Sequence, residues 1–192
     1  MFSPDSRFYA AFSLAADLVI VNFCMVIASL PIITAGAATK AGAYVTRQLA
    51  HDEGSRPFAT FWKAFRASFL PPTGYFVGTT CIAVLGIYEI YVIRGAGEGL
   101  ISPMAALVLE SGIWSGLIIL TIITVQFYPK CSLKGAVLDA MRDLPRTLLA
   151  ALGLAALPIV ALTTSVGLGT IITYVVLVGL ALPWYVAGLI LK

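Results

Sequence analysis

Five long apolar stretches alternate with short polar connections along the chain. They lie near residues 10–33, 75–93, 106–128, 147–166 and 169–191. Each approaches the roughly 20 residues that a helix needs to cross a bilayer. Backbone groups in lipid must be hydrogen-bonded within their own segment, so each stretch is predicted as an α-helix. The pattern predicts an all-α fold, a polytopic bundle of about five transmembrane helices in a single integral membrane domain over residues 1–192.

Two of the polar connections contain apolar residues at helical spacing. In the first, Phe58, Phe61, Trp62, Phe65 and Phe69 form a stripe, and Pro71-Pro72 is expected to end the segment. In the second, the stripe contains Leu133, Val137, Leu138, Met141 and Leu144, and Pro145 is expected to end it. Both patterns predict amphipathic helices lying in the membrane interface.

These two helices have two interpretations. They are either interfacial anchors of the bundle or a docking surface for a cytoplasmic partner. The docking interpretation rests on candidate residues from both segments: Phe61, Trp62, Lys63, Phe65, Arg66, Phe69, Met141 and Arg142. Residues 62–71 also align with residues 138–145, which suggests that 57–128 and 129–192 are parallel repeats of an amphipathic segment followed by a helical hairpin.

A third short segment, from Ala37 to Ala50, follows the first apolar stretch. Pro31 and Gly36 are expected to break or bend the chain between the two.

Composition excludes a soluble domain. Hydrophobic residues make up 60% of the chain and charged residues 11%, against about 25% charged residues in ordinary soluble proteins. The mean hydropathy is +0.98, so a lipid bilayer is the expected surrounding. The net charge of +3 is too small to predict a nucleic-acid partner.

The distribution of basic residues predicts the orientation. Lys and Arg residues are concentrated in residues 34–71, in residues 129–146 and at Lys192, whereas Arg7 and Arg94 lie on the opposite side. Basic connections stay in the cytoplasm. The N-terminus is therefore predicted outside and the C-terminus inside a cytoplasmic membrane.

The sequence offers no set of residues suited to catalysis, metal binding or cofactor binding. His51 is the single histidine, and neither metal-ligand spacing nor a nucleophile partner accompanies it. The three cysteines lack metal or redox spacing, and no phosphate-binding loop is present. We expect a protein that is not an enzyme and that uses no cofactor.

Three acids and one asparagine fall inside the apolar stretches. Asp17, Glu89 and Glu110 are expected near the outer ends of the first three spans. They form either a shared outward-facing site for an ion or small molecule, or separate groups solvated at the headgroup level. Asn22 lies deeper, where an amide seeks an interhelical partner, and helix packing is favoured there over transport.

Gly112 and Gly116 form a GxxxG pattern in the third span. This spacing lets two helix backbones approach closely, either inside the protein or against a partner.

Several segments resemble one known family. These are Val21-Asn22, residues 29–41 (SLPIITAGAATKA), residues 45–49 (VTRQL) and residues 61–69 (FWKAFRASF). They are similar to the YesL-like family of bacterial integral membrane proteins, domain of unknown function 624. Its motif corresponds here to Leu30, Pro31, Thr34 and Gly36.

The resemblance implies a bacterial cytoplasmic membrane protein, and family members are often encoded beside carbohydrate ABC-transporter permeases. It therefore implies an accessory or regulatory role in carbohydrate uptake, with such a permease as the partner. The alternative is a small stand-alone transporter or channel built on the outward-facing acids.

Overall fold

A computed structural model describes residues 7–51, 56–95, 102–163 and 179–191, and within these ranges the chain forms eight α-helices and no strand. The all-α prediction is confirmed. The helices, numbered in chain order, are α1 (Arg7–Ser29), α2 (Ala35–Ala50), α3 (Pro57–Ala67), α4 (Leu70–Gly95), α5 (Pro103–Lys130), α6 (Leu133–Arg142), α7 (Leu144–Thr163) and α8 (Ala181–Ile190).

Three of the helices are long and apolar enough to cross a bilayer, which indicates a membrane protein. They cover Phe8–Ser29, Leu70–Gly95 and Pro103–Lys130 and correspond to the first three predicted spans. The fourth and fifth predicted spans contain shorter apolar helices, Leu144–Ala155 and Ala181–Ile190. Residues 164–178, which belong to those two spans, lie outside the described residues.

Proline placement corrects three of the predicted boundaries. The first span was expected to reach residue 33, but α1 ends at Ser29 and residues Ile32–Thr34 form a 3-10 turn. Pro71-Pro72 and Pro145 were expected to end the amphipathic helices. They lie instead in the first turns of α4 and α7, after α3 and α6 have already ended. A proline costs little there, because the first-turn N–H groups have no intrahelical acceptor.

Helix α2 is the centre of the fold. It packs against α1, α3, α4, α5 and α8, and most of its side chains are buried and small. In lipid, no hydrophobic driving force brings helices together. Small residues stabilise the packing there because they let helix backbones approach closely. The short segment that follows the first span is therefore the element that joins the others.

Helices α4 and α5 pack against each other in antiparallel orientation. Their outer halves meet where a Cβ atom at Gly86 would lie 3.2 Å from Ile113. In the most apolar 18 residues of α5, 6% of the stretch is buried inside the protein. Most of α5 therefore faces the surroundings of the protein.

Candidate interaction surfaces and polar sites

The motif residues at positions 30–36 build the connection between α1 and α2. Pro31 stops α1, and the Thr34 hydroxyl donates hydrogen bonds to the carbonyl oxygens of Ala28 and of Pro31, the latter at 2.7 Å. Leu30 is 76% exposed. The turn is thus closed by its own threonine and presents its leucine outward.

Gly36 provides the closest approach between α2 and α4. A Cβ atom at this position would lie 2.4 Å from the carbonyl oxygen of Pro72 and 2.7 Å from the Cα of Thr73. Both are backbone atoms in the first turn of α4, and Pro72 is buried. The motif glycine is therefore required by the space between the two helices.

Asn22 joins α1 to the beginning of α8. Its side chain is fully buried, and its Oδ1 accepts hydrogen bonds from the backbone N–H groups of Leu180 at 2.8 Å and Ala181 at 3.1 Å. The first N–H groups of a helix lack intrahelical acceptors. A side chain that is distant in sequence thus caps α8.

Other polar groups of the bundle also connect helices. The Nε2 of Gln126 on α5 donates to the Thr147 hydroxyl on α7 at 3.1 Å. The hydroxyl groups of Tyr75 on α4 and Thr124 on α5 are 2.9 Å apart. Thr124 also donates to the carbonyl oxygen of Leu120 in its own helix, at 2.7 Å. The partners of Gln126 and Thr124 in other helices could not be identified from local spacing.

The three acids of the apolar stretches lie in different surroundings. Both carboxylate oxygens of Glu110 accept hydrogen bonds from the Arg94 guanidinium, at 3.1 and 3.0 Å. Glu89 is exposed on α4 and Asp17 is half-buried on α1. Helix α1, which contains Asp17, packs against α2, α3 and α8. The charge of Glu110 on α5 is neutralised by Arg94 of the neighbouring α4.

Helix α3 contributes part of the candidate docking surface to the core. Phe61 is 0% exposed, so its assignment to a docking surface is corrected. Trp62 and Phe65 are half-buried against the same core, and the Arg66 guanidinium lies 6.0 Å from the centre of the Trp62 ring. On the outer side, Lys63, Arg66 and Phe69 are exposed.

Helix α6 presents the more open surface. Met141 is 73% exposed and Leu138 is 67% exposed, and Arg142 next to them is also exposed. The opposite side of α6 buries Ala136 and Ala140. An ion pair between Lys130 of α5 and Asp139 of α6 connects the two helices.

A polar cavity lies where five of the helices come together. It has a volume of about 120 Å³ and is lined by residues from α2, α5, α6, α7 and the segments next to them: Arg47, Gln126, Lys130, Asp139, Asp143, Arg146 and Leu191. This cavity could not be predicted from the sequence. The available signal was the presence of basic residues at several helix ends, but their convergence depends on how the helices pack.

His51 lies at the end of α2, and its Nδ1 is 2.8 Å from the carbonyl oxygen of Arg47. Among the described residues, no group of three or more His, Cys, Asp or Glu side chains is placed to hold a metal ion.

Comparison with known proteins gives one match. Residues 18–90 match the model of a family described as "Protein of unknown function, DUF624", which confirms the resemblance seen in the sequence. The matched segment contains Asn22, the motif turn, α2 and α3. No curated protein and no solved structure matches the chain.

Proposed function

We propose, from the match of residues 18–90 to the model of the DUF624 family of proteins of unknown function and from the resemblance described above, that the chain is a non-enzymatic accessory subunit of a carbohydrate ABC-type uptake system. In this role it spans a bacterial cytoplasmic membrane about five times, with its N-terminus outside and its C-terminus in the cytoplasm. Its partner is a permease of the transporter. The genomic surroundings typical of the resembling family support this choice of partner.

The observation that carries the proposal is how the polar groups within the apolar helices are used. Asn22, Gln126 and Glu110 each bond to a different helix. Polar groups engaged in this way stabilise the packing of helices. Such bonds support a rigid scaffold more than a polar pathway for a transported solute.

The surface for the permease is proposed on α6 and the exposed side of α3. Met141 and Arg142 combine a large apolar side chain with a positive charge, and Lys63, Arg66 and Phe69 add the same chemistry. Methionine and arginine are enriched at protein interfaces. In the membrane, a Cβ atom placed at Gly112 or Gly116 would have no atom from another part of the described structure within 4 Å, so a partner helix can approach α5 closely there.

Affinity purification from native membranes in a mild detergent, followed by mass spectrometry, tests the proposal. We expect a carbohydrate ABC permease to co-purify with the wild-type protein. Recovery should fall at least tenfold with the double variant Met141→Asp and Arg142→Glu. The control is Met104→Asp, which changes a residue that is 74% exposed at the other end of α5 and should leave recovery unchanged.

Two results would contradict the proposal. If the purified wild-type sample contains no transporter subunit, the proposed partner is wrong. If the permease is recovered equally with the double variant, α6 is not the docking surface. The alternative function, a transporter with Asp17, Glu89 and Glu110 around one outward-facing cavity, gains no support from the ion pair between Arg94 and Glu110.

A further inference from the structure

We infer that the polar cavity where α2, α5, α6, α7 and α8 come together binds one phosphate group, and that a phospholipid headgroup supplies it. This inference is independent of the proposed accessory role. It rests on the charge of the cavity, on the geometry of its cationic side chains and on its position along the spanning helices.

The charge of the cavity favours a single anion. Its lining contains the cations Arg47, Lys130 and Arg146 and the carboxylates Asp139 and Asp143. Three cations against two carboxylates leave one formal positive charge. A phosphodiester carries one negative charge and would neutralise the cavity, whereas a phosphomonoester, with a charge near −2 at pH 7, would exceed it.

The cations are not equally available. Lys130 forms an ion pair with Asp139. Within the described part of the chain, Arg47 and Arg146 form no ion pair, although both line the cavity. A guanidinium presents its N–H donors in a planar fork that matches two phosphate oxygens. Two such groups from different helices are therefore the expected phosphate ligands.

The cavity lies at the level where headgroups are found. Helix α5 has 28 residues, which corresponds to about 42 Å at 1.5 Å per residue. The hydrocarbon core of a bilayer is about 30 Å thick, so the terminal turns of α5 reach the headgroup region. Gln126 and Lys130, which line the cavity, belong to its last two turns. Basic pockets between helix ends are typical binding sites for phospholipid headgroups.

The volume is compatible with a phosphate group. The cavity encloses about 120 Å³, which is enough for several water molecules. Leu191 contributes an apolar side chain to the lining. Exposed leucines on the neighbouring α6 and α7, Leu138 at 67% and Leu149 at 56%, provide apolar surface outside the cavity for an acyl chain.

Native mass spectrometry of delipidated protein in an uncharged detergent provides the test. Three probes are added in separate samples: phosphatidylglycerol with two oleoyl chains, dioleoylglycerol without a phosphate, and inorganic phosphate with the phosphatidylglycerol as a competitor. We expect retention of phosphatidylglycerol, no retention of dioleoylglycerol, and about 30-fold weaker retention of phosphatidylglycerol by the double variant Arg47→Gln and Arg146→Gln.

Matched controls separate the cavity from general surface charge. The double variant Arg56→Gln and Lys134→Gln removes the same number of charges from exposed side chains that do not line the cavity, and retention should change less than twofold. Asp143→Asn removes one of the two carboxylates and should strengthen retention. If the double variant fails to fold, inorganic phosphate applied to the wild-type protein measures the same site by competition.

Each of the following outcomes either supports or contradicts a phosphate site in the cavity. Phosphatidylglycerol retention that needs both arginines supports a lipid headgroup, and displacement at millimolar inorganic phosphate supports a site for free phosphate of the same chemistry. Equal retention by the double variant and the wild type would overturn the site. So would equal retention of dioleoylglycerol, because the phosphate would then contribute nothing.

Discussion

Replacing Gly36 by alanine should destabilise the protein, although alanine is the better helix former. A Cβ atom at this position would lie 2.4 Å from the Pro72 carbonyl oxygen and 2.8 Å from the Phe76 Cβ. Non-bonded heavy atoms prefer a separation of about 3.5–4.0 Å, so α2 and α4 must separate by about 1 Å. The nearest obstacle is backbone and cannot rotate away.

The expected magnitude follows from two opposing effects. Overpacking of this kind costs about 1–3 kcal/mol, and the gain in helix propensity returns about 0.5–1 kcal/mol. The net loss of about 1–2 kcal/mol corresponds to a melting temperature lower by roughly 2–8 °C for a chain of this size. Thermal unfolding of the detergent-solubilised protein, followed by size-exclusion chromatography, measures the shift.

The same substitution at Gly74 provides the control. Gly74 lies in α4, two residues beyond Pro72, and a Cβ atom there would have nothing within 4 Å. Gly74→Ala should leave the melting temperature unchanged or raise it. If the Gly36→Ala protein melts at the same temperature as the wild type, the close approach is refuted. Recovery of stability by adding Phe76→Ala would also refute it, because the conflict is with backbone atoms.

Three further predictions concern the described helices. Asn22→Ala leaves the first N–H groups of α8 without their acceptor and should cost about 0.6–2 kcal/mol, seen as a lower melting temperature; an unchanged value would show that the cap is dispensable. Phe61→Ala should cost about 3–5 kcal/mol, because this ring is 0% exposed, whereas Phe58→Ala at 58% exposed should cost much less; equal effects would contradict the assignment of Phe61 to the core. Burial raises the pKa of the Cys131 thiol, and Lys40 opposes that shift. Maleimide labelling of Cys131 should therefore be slow at pH 7.5 and should accelerate only above the usual thiol range near pH 8.5. Labelling should become slower still with Lys40→Ala. Rapid labelling at pH 7.5 would show an exposed, unperturbed thiol.

The length of the apolar stretches predicted the three long helices, because lipid imposes a composition on any segment that crosses it. It could not predict where α1 ends relative to α2, since Leu30, Ile32 and Ile33 are as apolar as the helix before them. There the local backbone chemistry of Pro31 and Thr34 dominates. Apolar content alone therefore overestimated the first span.

The role of α2 was harder to predict. Its alanines and glycines lower its hydropathy below that of a typical span, although Ala37, Ala38 and Ala41 are fully buried. Small residues act through how closely backbones approach, and hydropathy does not measure this. The cavity was missed for a related reason, because Arg47 and Arg146 are 99 positions apart in the sequence and meet only through tertiary packing.

The arrangement of the bundle in the membrane is the claim on which the account depends most. Single cysteines introduced as Lys63→Cys and Met104→Cys, in a protein whose three native cysteines are replaced by alanine, can be labelled in intact cells with a membrane-impermeant maleimide. Lys63 lies in the middle of α3 and Met104 in the first turn of α5; both side chains are exposed, on opposite sides of the predicted membrane. The account predicts labelling of position 104 from outside and of position 63 only after the cells are permeabilised. Labelling of position 63 in intact cells, with position 104 protected, would contradict it.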